Sequence, residues 1–240
     1  MKQNLFLIEK NKAIAPAVYE MTLRGDTSAI TAPGQSVNIR LSGFYLRRPI
    51  SVCDMAGDRL TIIYKVVGKG TAAMARLLSG QRLDLLTGLG NGYDLSACPK
   101  NVTVIGGGVG VPPMYYLAKK LLEDGKNVNA ILGFNTNEEV FYENQFKALG
   151  VETVVTTVDG SYGIQGFVTD AMDAASYVCA CGPEPMLKAV WDRCSGGQFS
   201  FEERMGCGFG ACMGCTCETK YGRKRICKDG PVLRWEEIVW

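Results

Sequence analysis

Four cysteines fix what one end of this chain must wrap around. Cys207 is followed by four residues and Cys212, then by two residues and Cys215, and a further thiol, Cys227, lies downstream. Four-then-two spacing with a distant fourth cysteine is the ligand pattern of plant-type 2Fe-2S sites. Each iron needs thiolate ligands, so a short loop must aim three sulfurs at one centre without threading bulky side chains between them. Gly206, Gly208, Gly210 and Gly214 supply that room, and their backbone N–H groups can turn toward cluster sulfurs. The expected metal ligands are Cys207, Cys212, Cys215 and Cys227. Cys217 is one thiol too many. The spacing leaves it as a packed side chain, with a slipped assignment as the alternative. A four-cysteine zinc site is the competing metal reading, although such sites usually show two well-separated pairs; redox thiols are the third.

Composition narrows the chemistry further. The chain has no histidine, which removes Ser-His-Asp and Cys-His hydrolases, Rieske centres and His-ligated metal catalysts. Chemistry must therefore be carried by cofactors. At 240 residues there is room for two domains, or one and a half with a small appendage. A net charge of +2 selects no polyanionic partner, and the basic run Arg223-Lys224-Arg225 is too short for a nucleic-acid patch. The apolar stretch 5–8 is broken by Glu9 and Lys10 too soon for a signal peptide, and no apolar run approaches a membrane span. A soluble, cytoplasmic protein is expected. In that compartment ten cysteines, five of them after Phe199, point to metal or redox chemistry rather than disulfides.

From residue 5 to 86 the pattern alternates with period two in short runs, at 17–23, 36–41 and 60–66, punctuated by Gly25-Asp26, Pro33-Gly34 and Ala56-Gly57-Asp58. Runs of this kind predict an antiparallel barrel or sandwich, with a short helix over 71–78 and a last strand over 82–86. Within it lies Arg47-Arg48-Pro49-Ile50-Ser51. Paired arginines beside a proline are ordinarily a solvated strand edge; here Ile63-Tyr64-Lys65 and the helix start at Gly70-Thr71, with free N–H groups for a phosphate, give them company.

These residues resemble the flavin domain of the ferredoxin-NADP reductase superfamily, which carries R-P-I-S followed by a K-x-x-G-x-G-T helix start. The resemblance implies FAD. By it Arg48 clamps the flavin diphosphate, Pro49, Ile50 and Ser51 run along the flavin with Ser51 hydrogen-bonding near the reactive nitrogen, Gly70 and Thr71 hold the phosphates, and the backbone of Ile63, Tyr64 and Lys65 follows the ring. Arg47 is either a flavin contact or a rim charge.

After residue 100 the period changes. A buried-type strand at 102–105 runs into Gly106-Gly107-Gly108-Val109-Gly110-Val111-Pro112-Pro113-Met114 and a helix to about residue 124. Further strands at 128–134, 151–157 and 177–181 alternate with helices at 137–149, near 168–174 and at 183–193. This predicts a doubly wound parallel sheet. The glycine run departs from G-x-G-x-x-G, since Val111 takes the last glycine position. A strand, glycine loop and helix in that order still present N–H groups to a pyrophosphate, with a tight turn as the alternative. G-G-G-x-G-x-x-P-M and Cys181-Gly182-Pro183-Glu184-Pro185-Met186 resemble the two landmarks of the same superfamily's NAD(P) domain. The implied cofactor contacts are Gly106, Gly107, Gly108, Gly110 and Gly182, with Cys181 beside the nicotinamide; a small buried thiol is the plainer reading of Cys181. Segment 133–139, where an adenosine ribose should fall, has no arginine or lysine for a 2′-phosphate, so NAD is favoured over NADP.

The tail motif S-F-E-E-R-M-G-C-G-F-G-A-C-M-G-C with the later K-D-G-P-V-L, taken with the flavin and NAD landmarks, resembles the electron-transfer subunits of NAD-dependent dihydroorotate dehydrogenases over essentially the whole chain. The implied organisation is an FAD-binding β-barrel (1–97), an NAD-binding α/β domain (98–196) and a small 2Fe-2S domain (197–240). The implied partner is an FMN-containing catalytic subunit, two copies of each forming a heterotetramer. Electrons would pass from that partner through cluster and FAD to NAD+ in pyrimidine biosynthesis. The loop 205–213, with apolar Phe209 and Met213, is expected to meet the partner, or else to pack on its own domain. The rival functions are a flavin and iron-sulfur reductase subunit of a hydrogenase, sulfide dehydrogenase or transhydrogenase, and a non-catalytic zinc-binding adaptor.

Overall fold

The alternating runs at the start of the chain close on themselves. The structure, a computed structural model, describes residues 1–173 and 176–240. Strands β1 (Lys2–Ala15), β2 (Val18–Arg24), β3 (Ser36–Arg40), β4 (Arg48–Ala56), β5 (Arg59–Lys65) and β6 (Arg82–Leu89) form a closed antiparallel barrel ordered β1-β2-β5-β4-β3-β6. Alternation sends Phe6, Met21, Val37, Ile39, Leu60 and Ile62 into one apolar core, and closure leaves no edge strand to protect. Helix α1 (Lys69–Ala75) covers one opening with Met74. It starts two residues earlier than the sequence suggests. The Thr71 hydroxyl accepts the N–H groups of Val67 and Gly68 at 3.0 and 3.3 Å, which tightens the turn ahead of it.

Among the described residues nine further strands follow: β7 (Asn101–Gly107), β8 (Asn127–Phe134), β9 (Glu152–Thr157), β10 (Ile164–Gln165), β11 (Tyr177–Cys181), β12 (Gly196–Ser200), β13 (Thr216–Thr219), β14 (Gly222–Arg225) and β15 (Val232–Arg234). Seven build a sheet in the order β10-β9-β8-β7-β11-β12-β15, parallel throughout except where β15 runs against β12. Helices α2 (Val111–Glu123) and α3 (Glu143–Ala148) pack on one face through Met114, Leu117 and Phe146; α4 (Glu184–Trp191) packs on the other through Leu187 and Val190. Strands β13 and β14 form a separate antiparallel pair. The fold is the expected barrel, doubly wound sheet and C-terminal thiol-rich segment.

Several elements differ from the sequence pattern. The helix expected over 137–149 is split into a single 3-10 turn, Asn137–Glu139, and α3. Phe141 and Tyr142 between them are buried, packed edge-on against Phe134 and Tyr115, and Tyr142 takes φ of 68°, which a continuous helix forbids. In place of a helix near 168–174 stands the 3-10 turn Val168–Asp170, with the Asp170 carboxylate accepting the Phe167 N–H at 2.8 Å; residue 174 lies outside the described residues. Strand β12 begins Gly-Gly, a composition that conceals it. A side chain at Gly197 would strike the Val178 carbonyl of the neighbouring strand.

The barrel and the sheet are tied together at several points. Tyr142 Oη donates to Glu20 at 2.9 Å, Lys119 pairs with Asp54 at 2.9 Å, and Tyr116 of α2 inserts into the barrel's apolar core. Asn91 fastens the end of the barrel to the tail: its Nδ2 donates to the Val232 carbonyl at 2.8 Å while its Oδ1 accepts the Val232 N–H at 3.0 Å. Among the described residues no helix is long and apolar enough to cross a membrane.

Candidate functional site

Arg48 opens β4 on the outside of the barrel. Its guanidinium stands 5.1 Å over the Phe44 ring, and Nη1 donates to the Leu46 carbonyl at 2.6 Å. It lies directly on Gly70, where any Cβ would collide with it. Arg48 and the Gly70-Thr71 turn are thus brought together from distant parts of the sequence, and Arg48 makes no ion pair among the described residues, leaving its charge free for an anion. Pro49, Ile50 and Ser51 continue along β4 opposite Asn38, Val37 and Ser36 of β3. Ile63 and Tyr64 are both buried, Tyr64 in the barrel core and Ile63 on the opposite face against the core of the nucleotide sheet; Tyr64 Oη donates to Asn11 at 2.9 Å, and burial pushes its pKa up to about 12. Arg47, by contrast, is spent on the barrel itself, with Nη1 2.9 Å from the Asp84 carboxylate.

A crevice of about 620 Å³ opens at the carboxyl ends of β7, β8, β9 and β11, where ligands of doubly wound sheets bind. Gly107, Gly108, Gly110, Gly133 and Gly182 line it, with Lys65 reaching in from the barrel; Ser51 is not part of its wall. The glycines permit close approach. A Cβ on Gly110 would strike the Cys181 carbonyl, one on Gly106 would meet Val111 at 2.7 Å, and one on Gly107 would meet Met186 Sδ at 2.5 Å. Cys181 ends β11 and is 2% exposed; burial, aided by the Glu202 charge, pushes its thiol up to about 12, so it stays protonated. Glu202, from the start of the tail motif, also lines the crevice, and burial shifts its carboxyl upward. At the far end Glu139 accepts from Asn135 N and Nδ2 at 3.3 and 2.8 Å and faces Lys65 at 3.5 Å. Lys65, which lines this crevice, is therefore already engaged by a carboxylate.

The thiol loop follows β12. Its sulfurs fall into two pairs: Cys207 N donates to Cys212 Sγ and Cys212 N to Cys207 Sγ, both at 3.4 Å, while Cys227 N donates to Cys215 Sγ at 3.4 Å. Cys207 Sγ also faces the N–H groups of Ala211 at 3.2 Å and Phe209 at 3.5 Å. Partial burial works against its ionisation, but these N–H groups outweigh it and lower the thiol to about 6. Burial beside Cys215 pushes the Cys227 thiol the other way, up to about 12, yet sulfurs gathered in two pairs suit a two-iron centre, in which each iron takes two protein ligands. Cys217 stands apart on β13 opposite Lys224, in a smaller recess with Glu203 and Glu218. Arg225, in sequence only part of a charge run, braces the loop: it grips both oxygens of Asp229 at 2.9 and 3.2 Å and donates to the Gly210 carbonyl at 3.0 Å. Phe209 and Met213 are 43% and 54% exposed, so neither is buried in its own domain.

With no histidine anywhere and its crevice thiol locked in the neutral form, the protein leaves the reaction to what its barrel, crevice and loop hold. It is an oxidoreductase subunit of the FAD, NAD and iron-sulfur class. Residues 202–239 match the family model for the iron-sulfur cluster binding domain of dihydroorotate dehydrogenase B, and residues 104–192 that of the oxidoreductase NAD-binding domain. The dihydroorotate dehydrogenase B (NAD(+)) electron transfer subunit of Bacillus pumilus (strain SAFR-032) is 42% identical over 256 aligned residues, covering 100% of this chain and 99% of that one. Among solved structures, one reported for flavin-based electron bifurcation by NADH-dependent reduced ferredoxin-NADP oxidoreductase superposes with a TM-score of 0.88 at 31% identity, over 99% of this chain and 90% of that chain. A ferredoxin NADP+ reductase from Neisseria gonorrhoeae with bound FAD and NADP shares the fold, with a TM-score of 0.70 at 17% identity over 80% of this chain and 90% of that chain. The chain belongs to the family of dihydroorotate dehydrogenase B (NAD(+)) electron transfer subunits.

Proposed function

We propose that this chain is the NAD-facing relay of a dihydroorotate dehydrogenase, receiving electrons from an FMN-containing catalytic subunit and delivering them through a 2Fe-2S cluster and FAD to NAD+. The observation that carries the reading is the 42% identity to an electron transfer subunit along the whole of both chains. When bound, FAD supplies the exchange between two-electron transfer to a nicotinamide and one-electron transfer to an iron-sulfur centre. In this reading Arg48 neutralises the flavin diphosphate over Gly70 and Thr71, Ser51 hydrogen-bonds the isoalloxazine, and the backbone of residues 63–65 follows its edge. Gly106, Gly107, Gly108, Gly110 and Gly182 admit the dinucleotide, with the neutral Cys181 thiol beside the nicotinamide. Cys207, Cys212, Cys215 and Cys227 hold the cluster.

The proposed division remains 1–97, 98–196 and 197–240, with β12 and β15 of the last region built into the nucleotide sheet. A heterotetramer of two subunits of each kind is the proposed assembly, with exposed Phe209 and Met213 against the catalytic subunit. A cytoplasmic location is proposed as well, supported by all ten cysteines standing as free thiols. The test is co-expression with the catalytic subunit, followed by dihydroorotate-dependent reduction of NAD+ in the purified complex. The likeness to the bifurcating oxidoreductase at 31% identity favours a second reading, a subunit of such a complex. A protein that shows no dihydroorotate-dependent activity and prefers NADP+ would establish that reading instead.

A further inference from the structure

Asn38 sits at the centre of β3 between Val37 and Ile39, whose side chains point into the barrel core. Alternation sends the Asn38 side chain outward, toward what would ordinarily be water. It is nevertheless 1% exposed, because residues 207 and 208 of the thiol loop lie over it. Its Nδ2 donates to the Cys207 carbonyl at 3.0 Å. Gly208 presses against the same amide: with φ of 77° it takes a conformation that L side chains rarely adopt, and any Cβ there would collide with Asn38 Nδ2. Asn38 Oδ1 has no protein donor among the described residues. The amide's hydrogen bonding within the protein is therefore directed at the loop, and burying an amide at this position serves the barrel no better than an apolar residue would.

On its other side, Asn38 is the cross-strand partner of Pro49 in the Arg48-to-Ser51 segment, and its carbonyl accepts from Arg47 Nη1 at 3.2 Å. One residue thus touches the backbone of a proposed cluster ligand and pairs with the strand proposed to carry the flavin. We infer that Asn38 is a positioning residue that sets the separation between the cluster loop and the flavin strand, and so the rate of electron exchange between them. The inference rests on the functional reading above. A side chain that holds the two backbones in van der Waals and hydrogen-bond contact matters because electron transfer falls steeply with added distance, whereas hydride exchange at the glycine-lined crevice, whose wall does not include Asn38, does not depend on this joint.

The experiment uses the purified complex loaded with both cofactors, and compares wild type with Asn38→Leu, Asn38→Asp and Gly208→Ala. Leucine keeps the volume but loses the bond; aspartate keeps the shape but sets an acceptor against the Cys207 carbonyl; Gly208→Ala pushes the loop away from the other side. Rapid mixing with NADH separates flavin reduction from the later bleaching of the cluster. Expected are flavin reduction within two-fold of wild type, cluster reduction slowed five-fold or more, and shifted g-values of the reduced cluster by electron paramagnetic resonance. Native cluster-reduction rates and an unchanged spectrum in Asn38→Leu and Gly208→Ala would overturn the assignment. Wild-type complex in which NADH reduces flavin but never the cluster overturns the relay reading itself, an outcome distinct from variant-specific failure.

Discussion

Lys65, at the end of a barrel strand, and Glu139, from the nucleotide sheet, face each other at 3.5 Å across the joint between the two. Both line the crevice, so the pair ties the barrel to the nucleotide region at the edge of the site. It is partly exposed, and such pairs are worth up to about 1 kcal/mol, or about five-fold in affinity. Lys65→Met and Glu139→Gln are each expected to weaken NADH binding by up to that factor. Because the two residues act as a unit, the double variant should be no worse than the poorer single one. Fully additive losses in fluorescence titration would show that the residues act separately.

Two neighbouring glycines should respond differently to the same methyl group. At Gly110 the obstacle is the backbone carbonyl of Cys181, which cannot turn aside; at Gly107 it is the flexible end of Met186. Gly110→Ala is expected to cost about 2–4 kcal/mol and to abolish NADH binding, and Gly107→Ala about 1 kcal/mol with binding weakened. Urea unfolding followed by tryptophan fluorescence, with NADH titration alongside, checks the order.

Asp84 provides a pH dependence with a definite sign. Burial alone would raise its carboxyl, but hydrogen bonds from Arg47 and Gln3 outweigh that and hold it below the ordinary value. A carboxyl depressed in the folded state contributes stability above its unfolded pKa and loses it as pH falls through the folded one. Asp84→Asn should therefore lower barrel stability by about 1 kcal/mol at neutral pH. The gap to wild type should narrow as the pH falls through that lowered value. A gap unchanged between neutral and acid solution would assign the loss to packing instead of charge.

The exposed apolar pair on the thiol loop predicts where the catalytic subunit docks. Phe209→Ala together with Met213→Ala is expected to weaken assembly by about ten- to a hundred-fold, while iron content and visible spectrum stay native. Sedimentation or light scattering of the mixed subunits reads the first, absorbance the second. Assembly at wild-type affinity would move the interface elsewhere.

Features built from residues close in sequence are legible in the sequence itself; those assembled by the fold are not. The cysteine spacing, the glycine run before α2 and the Arg48-to-Ser51 segment carry their meaning in a few consecutive positions, and period-two alternation announces the barrel. Arg225 reads as part of a basic run, because nothing local shows that it grips Asp229 and the Gly210 carbonyl. Asn38 looks like an ordinary polar position in an alternating strand, and only the arrival of residues 207 and 208 buries it. Glu202 stands inside the tail motif, yet nothing local shows that it lines the crevice, since its place there depends on β12 lying beside β11. The continuous helix over 137–149 does not form for a related reason: Phe141 and Tyr142 follow core packing, which overrides the local pattern.

Strand β15 returns from the far side of the thiol loop to pair with β12 inside the nucleotide sheet. The metal-binding segment is consequently an excursion out of that sheet and back, not a cassette hung from its end. A lineage could not discard it and keep a simple flavin reductase by truncation alone, because the cut would strip away the sheet's outermost strand and lay bare the apolar face that Ile226, Leu233 and Ile238 now cover.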